Sequence, residues 1–168
     1  MLVAVLSDSH DHILNLRRAL RLAAERGAAA VIHCGDLVAP FMLRELAAFG
    51  GPVHIVFGNN EGDILLHTRV AAELPSLTLH GLLGQIELGG RRLAFTHILE
   101  LARPLAASGQ FAAVFFGHTH TAHTERVGGC LLLNPGDVMG KDAQPSFVLY
   151  DTGTGLAETI LFGQCVGP

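Results

Sequence analysis

Residues 2–8 (LVAVLSD) form a short apolar run that stops abruptly at polar residues, as a buried strand feeding a loop does. Ile13, Leu16, Leu20 and Ala23 then recur at helical spacing until Gly27, with Arg17, Arg18 and Arg21 on the other side. Residues 28–36 (AAAVIHCGD) read as a second buried strand. Pro40 suits the first turn of a helix running to about Phe49, closed by Gly50, Gly51 and Pro52. Residues 53–60 (VHIVFGNN) give a third strand. The order βαβαβ implies parallel strands joined by right-handed crossovers.

The second half changes its pattern. Residues 85–95 (QIELGGRRLAF) and 125–134 (ERVGGCLLLN) each place Gly-Gly between strand-like runs, a hairpin signal. Between them, residues 102–110 predict a short helix and 112–117 another buried strand. Residues 146–151 and 156–162 close the chain as strands. The expected fold is a mixed, two-sheet α/β sandwich flanked by helices and beginning βαβαβ. No repeat or linker interrupts it.

Composition narrows the function classes. A chain of 168 residues is expected to form about one domain, residues 1–168. That length buries roughly two-thirds of its unfolded surface, so no disulfide is needed to hold a core. Hydrophobic content of 49% and a mean hydropathy of +0.41 exclude a disordered tail. No apolar run approaches the roughly 18 residues of a membrane span. The opening MLVAVLSDSH lacks a basic segment and meets an acid at Asp8, which reads against a secretory signal. Cys34, Cys130 and Cys165 form no CxxC pair and suit a reduced, cytoplasmic setting. A net charge of −4 argues against stable nucleic-acid binding. An anionic substrate would need positive charge from some source other than Lys and Arg.

The candidate chemistry gathers where apolar runs end. The first run ends in Asp8-Ser9-His10, the second in Gly35-Asp36 and the third in Gly58-Asn59. Thr96-His97 follows LAF, and Gly117-His118-Thr119-His120 follows VFF, opening the His-rich stretch GHTHTAHTE. In open α/β sheets this C-terminal edge is where ligands bind. Asp-x-His and His-x-His also fit extended backbone, where residues i and i+2 point the same way. Carboxylate, imidazole and amide oxygen suit Mn, Fe, Co, Ni or Zn. Asp8, His10, Asp36, Asn59, His97, His118 and His120 exceed the three or four protein ligands of a single catalytic metal. Two ions sharing a carboxylate would use them all.

The order D-x-H, GD, GN, H, GHxH, running from Asp8 to Gly136, resembles the calcineurin-like metallophosphoesterase superfamily. The SDSHD and GHTH wording is most similar to its small bacterial and archaeal phosphodiesterase branch. The resemblance implies that Asp8, His10, Asp36 and His120 hold one divalent metal. It implies that Asp36, Asn59, His97 and His118 hold the other, with Asp36 bridging. Asp36, Asn59 and His97 are the catalytic residues it suggests. The implied reaction is hydrolysis of a small phosphate ester, most simply a diester. Two ions about 3.5–4 Å apart would lower the pKa of a bridging water, and the hydroxide would attack phosphorus in line. The rival reading is a non-catalytic scaffold of the same fold, as in the retromer coat. Here no ligand-type position is missing, which favours the enzyme. A metal-dependent nuclease is disfavoured by the lack of a basic patch. The apolar fraction would also allow a homo-oligomer.

Three departures stand out. Relatives with GNHE carry a histidine that protonates the leaving group; here the run is GNNE, with Asn60. Ile98 follows His97 where Gly is frequent, and NPGD (134–137) stands where NPGS is usual. Asparagine donates no proton, although its amide can hydrogen-bond a departing oxygen, so good leaving groups are expected to react fastest. His12, His33, His54, His67 and His80 read as packing or surface residues, and His123 as a surface group. Cys34 reads as a small buried hydrophobe. Glu61 and Asp63 read as first-turn helix acids.

Overall fold

The computed structural model describes residues 1–163. Six strands form one sheet in the order β11 (Leu156–Leu161), β10 (Ser146–Asp151), β1 (Leu2–Leu6), β2 (Ala30–His33), β3 (Val53–Ile55), β4 (Leu77–Leu79). β1 to β4 are parallel, and β10 and β11 are antiparallel to their neighbours. The second sheet has five strands: β5 (Leu83–Leu88), β6 (Arg91–Thr96), β7 (Ala113–Phe115), β9 (Cys130–Asn134) and β8 (His123–Val127). β6, β7 and β9 run parallel, flanked by the antiparallel strands of two hairpins. This is the expected mixed two-sheet sandwich.

Three apolar layers hold it together. Val3, Val5 and Ile32 face Phe95, Phe115 and Leu133 between the sheets, with Tyr150 beside them. Outside the first sheet lie α1 (Ile13–Glu25), α2 (Met42–Ala47) and α3 (Ile64–Ala72). α1 buries Leu16, Ala19, Leu20 and Ala23, a stripe at helical spacing, against β-strand residues such as Ala4 and Phe147. Its first turn is capped by His12, whose ring nitrogen accepts from the Asn15 N–H. On the far side α4 (Leu99–Ala107) covers the second sheet through Ala102 and Ala106, against Val114, Phe116 and Leu132.

Several boundaries differ from expectation, each for a local reason. The strands at 2–8, 28–36 and 53–60 end early, at Leu6, His33 and Ile55, where the chain turns into the loops that carry Asp8, Asp36 and Asn59. α2 is confined to Met42–Ala47, with Pro40 in the preceding turn. α4 starts at Leu99 and carries Pro104 inside it, where the missing N–H leaves the Glu100 carbonyl without its helical donor. Leu77–Leu79 is a strand that the sequence pattern does not mark; its order comes from pairing with β3. Both Gly-Gly hairpins form, at 89–90 and 128–129.

Candidate metal centre

The C-terminal ends of β1, β2, β3, β6 and β7 open into loops that meet at one edge of the sandwich. Asp8, His10, Asp36, His118 and His120 all have positive φ (54°, 39°, 59°, 70° and 55°). The Asp-x-His and His-x-His pairs therefore do not lie on extended backbone, as their spacing suggested. Left-handed residues curl each pair into a tight loop. The backbone holds these loops in register: the N–H groups of Asp8, His10 and Asp11 donate to the carbonyls of Gly35, Asp36 and Leu37 (3.0–3.1 Å). Close approach requires glycine behind them. A Cβ on Gly58 would collide with Asp36 Oδ1, and one on Gly117 with Ser7 Oγ.

The side chains converge on two overlapping clusters. Asp8, His10 and His120 offer one ligand atom each within 4.8 Å of one another, and so do Asp8, Asp36 and His97. His120 Nε2 lies 3.4 Å and His10 Nε2 3.7 Å from Asp8 Oδ1. Asp36 Oδ2 sits between the two groups, 3.4 Å from His10 Nε2 and 3.5 Å from His97 Nε2. Asn59 Oδ1 is 2.9 Å from His97 Nε2. His118 presents its ring to His97, with centroids 5.1 Å apart, and its backbone N–H donates to Asp8 Oδ2 (3.0 Å). Asp8, Asp36 and His97 are buried, His10 and His120 partly so, and Asn59 and His118 face solvent. Asp8 is the residue common to both compact clusters, while Asp36 is the one that reaches an imidazole of each implied metal set.

Buried atoms of this loop lack any hydrogen-bond partner, among them Asp8 Oδ1, Ser9 Oγ and His10 Nε2. Buried polar atoms are normally paired, and an orphan of this kind points to an ion. The donor set (carboxylate, imidazole, amide oxygen) fits borderline divalent metals. The field agrees. The nearby Asp8 carboxylate, with Asp36 behind it, raises the proton affinity of His10 against the opposing effect of burial. Burial alone would lower His97, but Asp36 and Asp8 turn the shift upward. Burial likewise disfavours the Asp36 carboxylate, yet hydrogen bonds from His97 and Asn60 hold its pKa well below the usual range. A site that strengthens cations and carboxylates together favours a positive ion.

Five supporting groups have roles that the sequence pattern did not assign. Glu61 is not in a helix turn: its carboxylate accepts from the N–H groups of Asp36 (2.8 Å), Val38 (3.0 Å) and Gly58 (2.8 Å), pinning two ligand loops together. Asp63 does cap α3, accepting from Leu66. Asn60 donates its side-chain amide to Asp36 Oδ2 (2.7 Å), so it faces the carboxylate and not a departing oxygen. Ser7 Oγ donates to Asp8 Oδ2, the Cys34 carbonyl accepts from His97 Nδ1 (2.8 Å), and Asp137 meets His120 Nδ1 (3.0 Å). The GNNE and NPGD runs were the available signals for Glu61 and Asp137. The remaining histidines pack or pair: His33 and His67 are buried, and His54 Nδ1 lies 3.1 Å from His80 Nε2.

The sequence profile of the calcineurin-like phosphoesterase superfamily domain matches residues 1–155. The chain belongs to that superfamily. As a phosphoesterase it is a hydrolase. A phosphodiesterase of Methanocaldococcus jannaschii is 29% identical over 148 residues, covering 83% of this chain and 86% of that protein. The solved structure of an archaeal phosphodiesterase is 26% identical and superposes with a TM-score of 0.90 over 96% of this chain and 100% of the other. Vps29 of Entamoeba histolytica, solved with zinc, shares the fold at 20% identity, a TM-score of 0.67, and coverage of 96% and 99%. Among the described residues no helix of this phosphoesterase-superfamily chain is long and apolar enough to cross a membrane.

Proposed function

We propose that the chain is a dinuclear metal-dependent phosphodiesterase, acting as one domain over residues 1–168 in the cytoplasm. The observation that carries this reading is Asp36 Oδ2, set between His10 and His97 beside the orphaned Asp8 Oδ1 and His10 Nε2. Asp8, His10, Asp36 and His120 would hold one ion, and Asp36, Asn59, His97 and His118 the other. Mn, Fe, Co, Ni and Zn fit these ligands better than Mg, because imidazole disfavours hard ions. When bound, a pair of such ions acidifies water and neutralises phosphoryl oxygens. That supplies the positive charge which a chain of net charge −4 lacks.

The chain's own groups do the orienting. His97 Nδ1–H donates to the Cys34 carbonyl, which turns Nε2 toward Asp36 and Asn59. Glu61 and Asn60 fix Asp36, and Ser7 fixes Asp8. No acid stands at position 60 to protonate a leaving alkoxide, so aryl diesters should react faster than alkyl esters. The complete set of ligand-type residues supports an enzyme over a scaffold of the Vps29 kind. The buried, unbridged Cys34 and Cys130 agree with a reducing compartment.

The test is metal analysis and phosphodiesterase assay of the purified chain. Two ions per chain are expected, with activity lost to chelator, restored by Mn, Co or Ni more than by Mg, and falling steeply as leaving-group pKa rises. Asp36→Asn should lose most metal and turnover while staying folded. An Asp36→Asn chain that keeps two ions and near-normal rate would defeat the reading.

A further inference from the structure

Asp137 stands at a place where a carboxylate is costly. It is 2% exposed, and its Oδ2 meets two partners: His120 Nδ1 at 3.0 Å and the Lys141 N–H at 3.1 Å. The turn that delivers it is locked. The Asn134 side chain donates to the Gly117 carbonyl (2.8 Å) and Thr119 Oγ1 (3.1 Å), tying the turn to the loop that carries His118 and His120. Asn134 Oδ1 accepts from the Gly136 N–H, Ser146 Oγ donates to the Pro135 carbonyl, and the Ser146 N–H donates to the Asp137 carbonyl. Asp137 is thus aimed at His120 by groups that touch no proposed metal ligand except through that loop.

The two buried-edge imidazoles are oriented differently. His97 Nδ1 faces a neutral carbonyl, that of Cys34. His120 Nδ1 faces a full negative charge. A carboxylate there requires the proton on Nδ1, so the Nε2 lone pair points at Asp8 Oδ1 and its unpaired neighbourhood. Negative charge behind the ring also makes Nε2 a stronger electron-pair donor, and loss of such a partner typically costs about 10–100-fold in metal affinity.

We propose that Asp137 is a positioning residue that selectively strengthens the Asp8–His10–His120 ion through His120, making the two metal positions unequal in affinity. This rests on the dinuclear reading above. The experiment is calorimetric titration of the metal-free chain with Mn²⁺ alone, in wild type and in Asp137→Asn, which keeps an acceptor for Nδ1–H but removes the charge. One of two binding steps should weaken by about 10–100-fold while the other is unchanged. Placed in a His97→Ala background, Asp137→Asn should show the same loss on the step that remains. Equal weakening of both steps, or of neither, overturns the proposal. A wild type that takes up one ion defeats the dinuclear reading separately, and the Asp137→Asn loss is then read on that step. A second measurement needs no variant: ¹⁵N spectra of the metal-free wild type in mildly alkaline buffer should place the His120 proton on Nδ1. A proton found on Nε2 overturns the proposal.

Discussion

The two edges of the sandwich meet the same backbone demand with different residues. At the edge away from the site, tight turns with positive φ are made by glycine, as at Gly89, Gly90 and Gly128. At the site edge, beside Gly35 and Gly136, left-handed conformations also fall on Asp8, His10, Asp11, Asp36, Val38, His118 and His120, which are all the non-glycine residues with positive φ among those described. Such a residue costs on the order of 1–3 kcal/mol and persists where surrounding bonds over-determine it. Here the cross-loop hydrogen bonds and the Glu61 clamp do that. Glycine would relax the site edge, but it has no carboxylate or imidazole to offer. Strain marks where side-chain chemistry took precedence over backbone comfort.

The sharpest way to probe this contrast is to place the same methyl at both edges. Gly117→Ala drives a Cβ into Ser7 Oγ and toward Asp8 Oδ2 (2.7 Å), whereas Gly128→Ala meets open space at φ 59°. Overpacking and a left-handed alanine each cost about 1–3 kcal/mol. Both variants should therefore melt earlier, yet only Gly117→Ala should lose metal uptake and phosphodiesterase activity. Comparable activity in the two would dissolve the distinction between the edges.

A second contrast concerns the ionisable groups beneath the site. His33 is fully buried, its Nδ1 accepts from the Gly35 N–H, and burial pushes its pKa down to about 4. The unfolded imidazole titrates near 6.5, so the unfolded chain binds more protons between those values. Stability from neutral His33 is complete above pH of about 6.5 and is lost as pH falls toward about 4, by roughly 3 kcal/mol. His10 and His97, shifted upward, act in the opposite sense. The difference between urea melts of wild type and His33→Gln isolates the His33 share, and the gap should close on acidification. Parallel curves from pH 7 to 4 would refute it.

The smallest effect tests strain itself. Val38 is β-branched at φ 80°, with its N–H held by Glu61 and its carbonyl by the Gly62 N–H. Val38→Asn keeps both bonds and tolerates the left-handed region, so the chain should gain about 1 kcal/mol. A loss measured by the same melts would mean that Val38 contributes packing outweighing its strain.

What could be read from the sequence was whatever depends on neighbours in the chain. Gly89-Gly90 sets its own turn, and Leu16, Leu20 and Ala23 announce their own helix. The positions of Asp8, Asp36, His97 and His118 at strand ends were legible for the same reason. Their backbone was not, because curling of Asp8 and His10 is imposed by the carbonyls of Gly35 and Asp36. Glu61 was misread as a helix acid since two of its three donors, the N–H groups of Asp36 and Val38, come from a loop that only tertiary structure brings to it. Asn60 hid its role likewise: its partner, Asp36, lies in another loop. Leu77–Leu79 carries no pattern of its own and exists as a strand by virtue of β3.

The placement of β1 sets the order in which the molecule can be made. It pairs on one side with β2 and on the other with β10, Leu2 opposite Asp151 and Val5 opposite Val148. Beyond it, the N–H groups of Val138 and Met139 donate to the carbonyls of Ser7 and Asp8. Of the strands described, the first in chain order thus waits for nearly the last. At synthesis rates of about 5–20 residues per second, the edge of β1 that β10 will cover stays open for roughly 7–30 seconds. Helices and hairpins can form within that interval, but the loop bearing Asp8 and His10 cannot close until the chain beyond β9 arrives. The candidate metal centre is among the last parts of the nascent protein to exist.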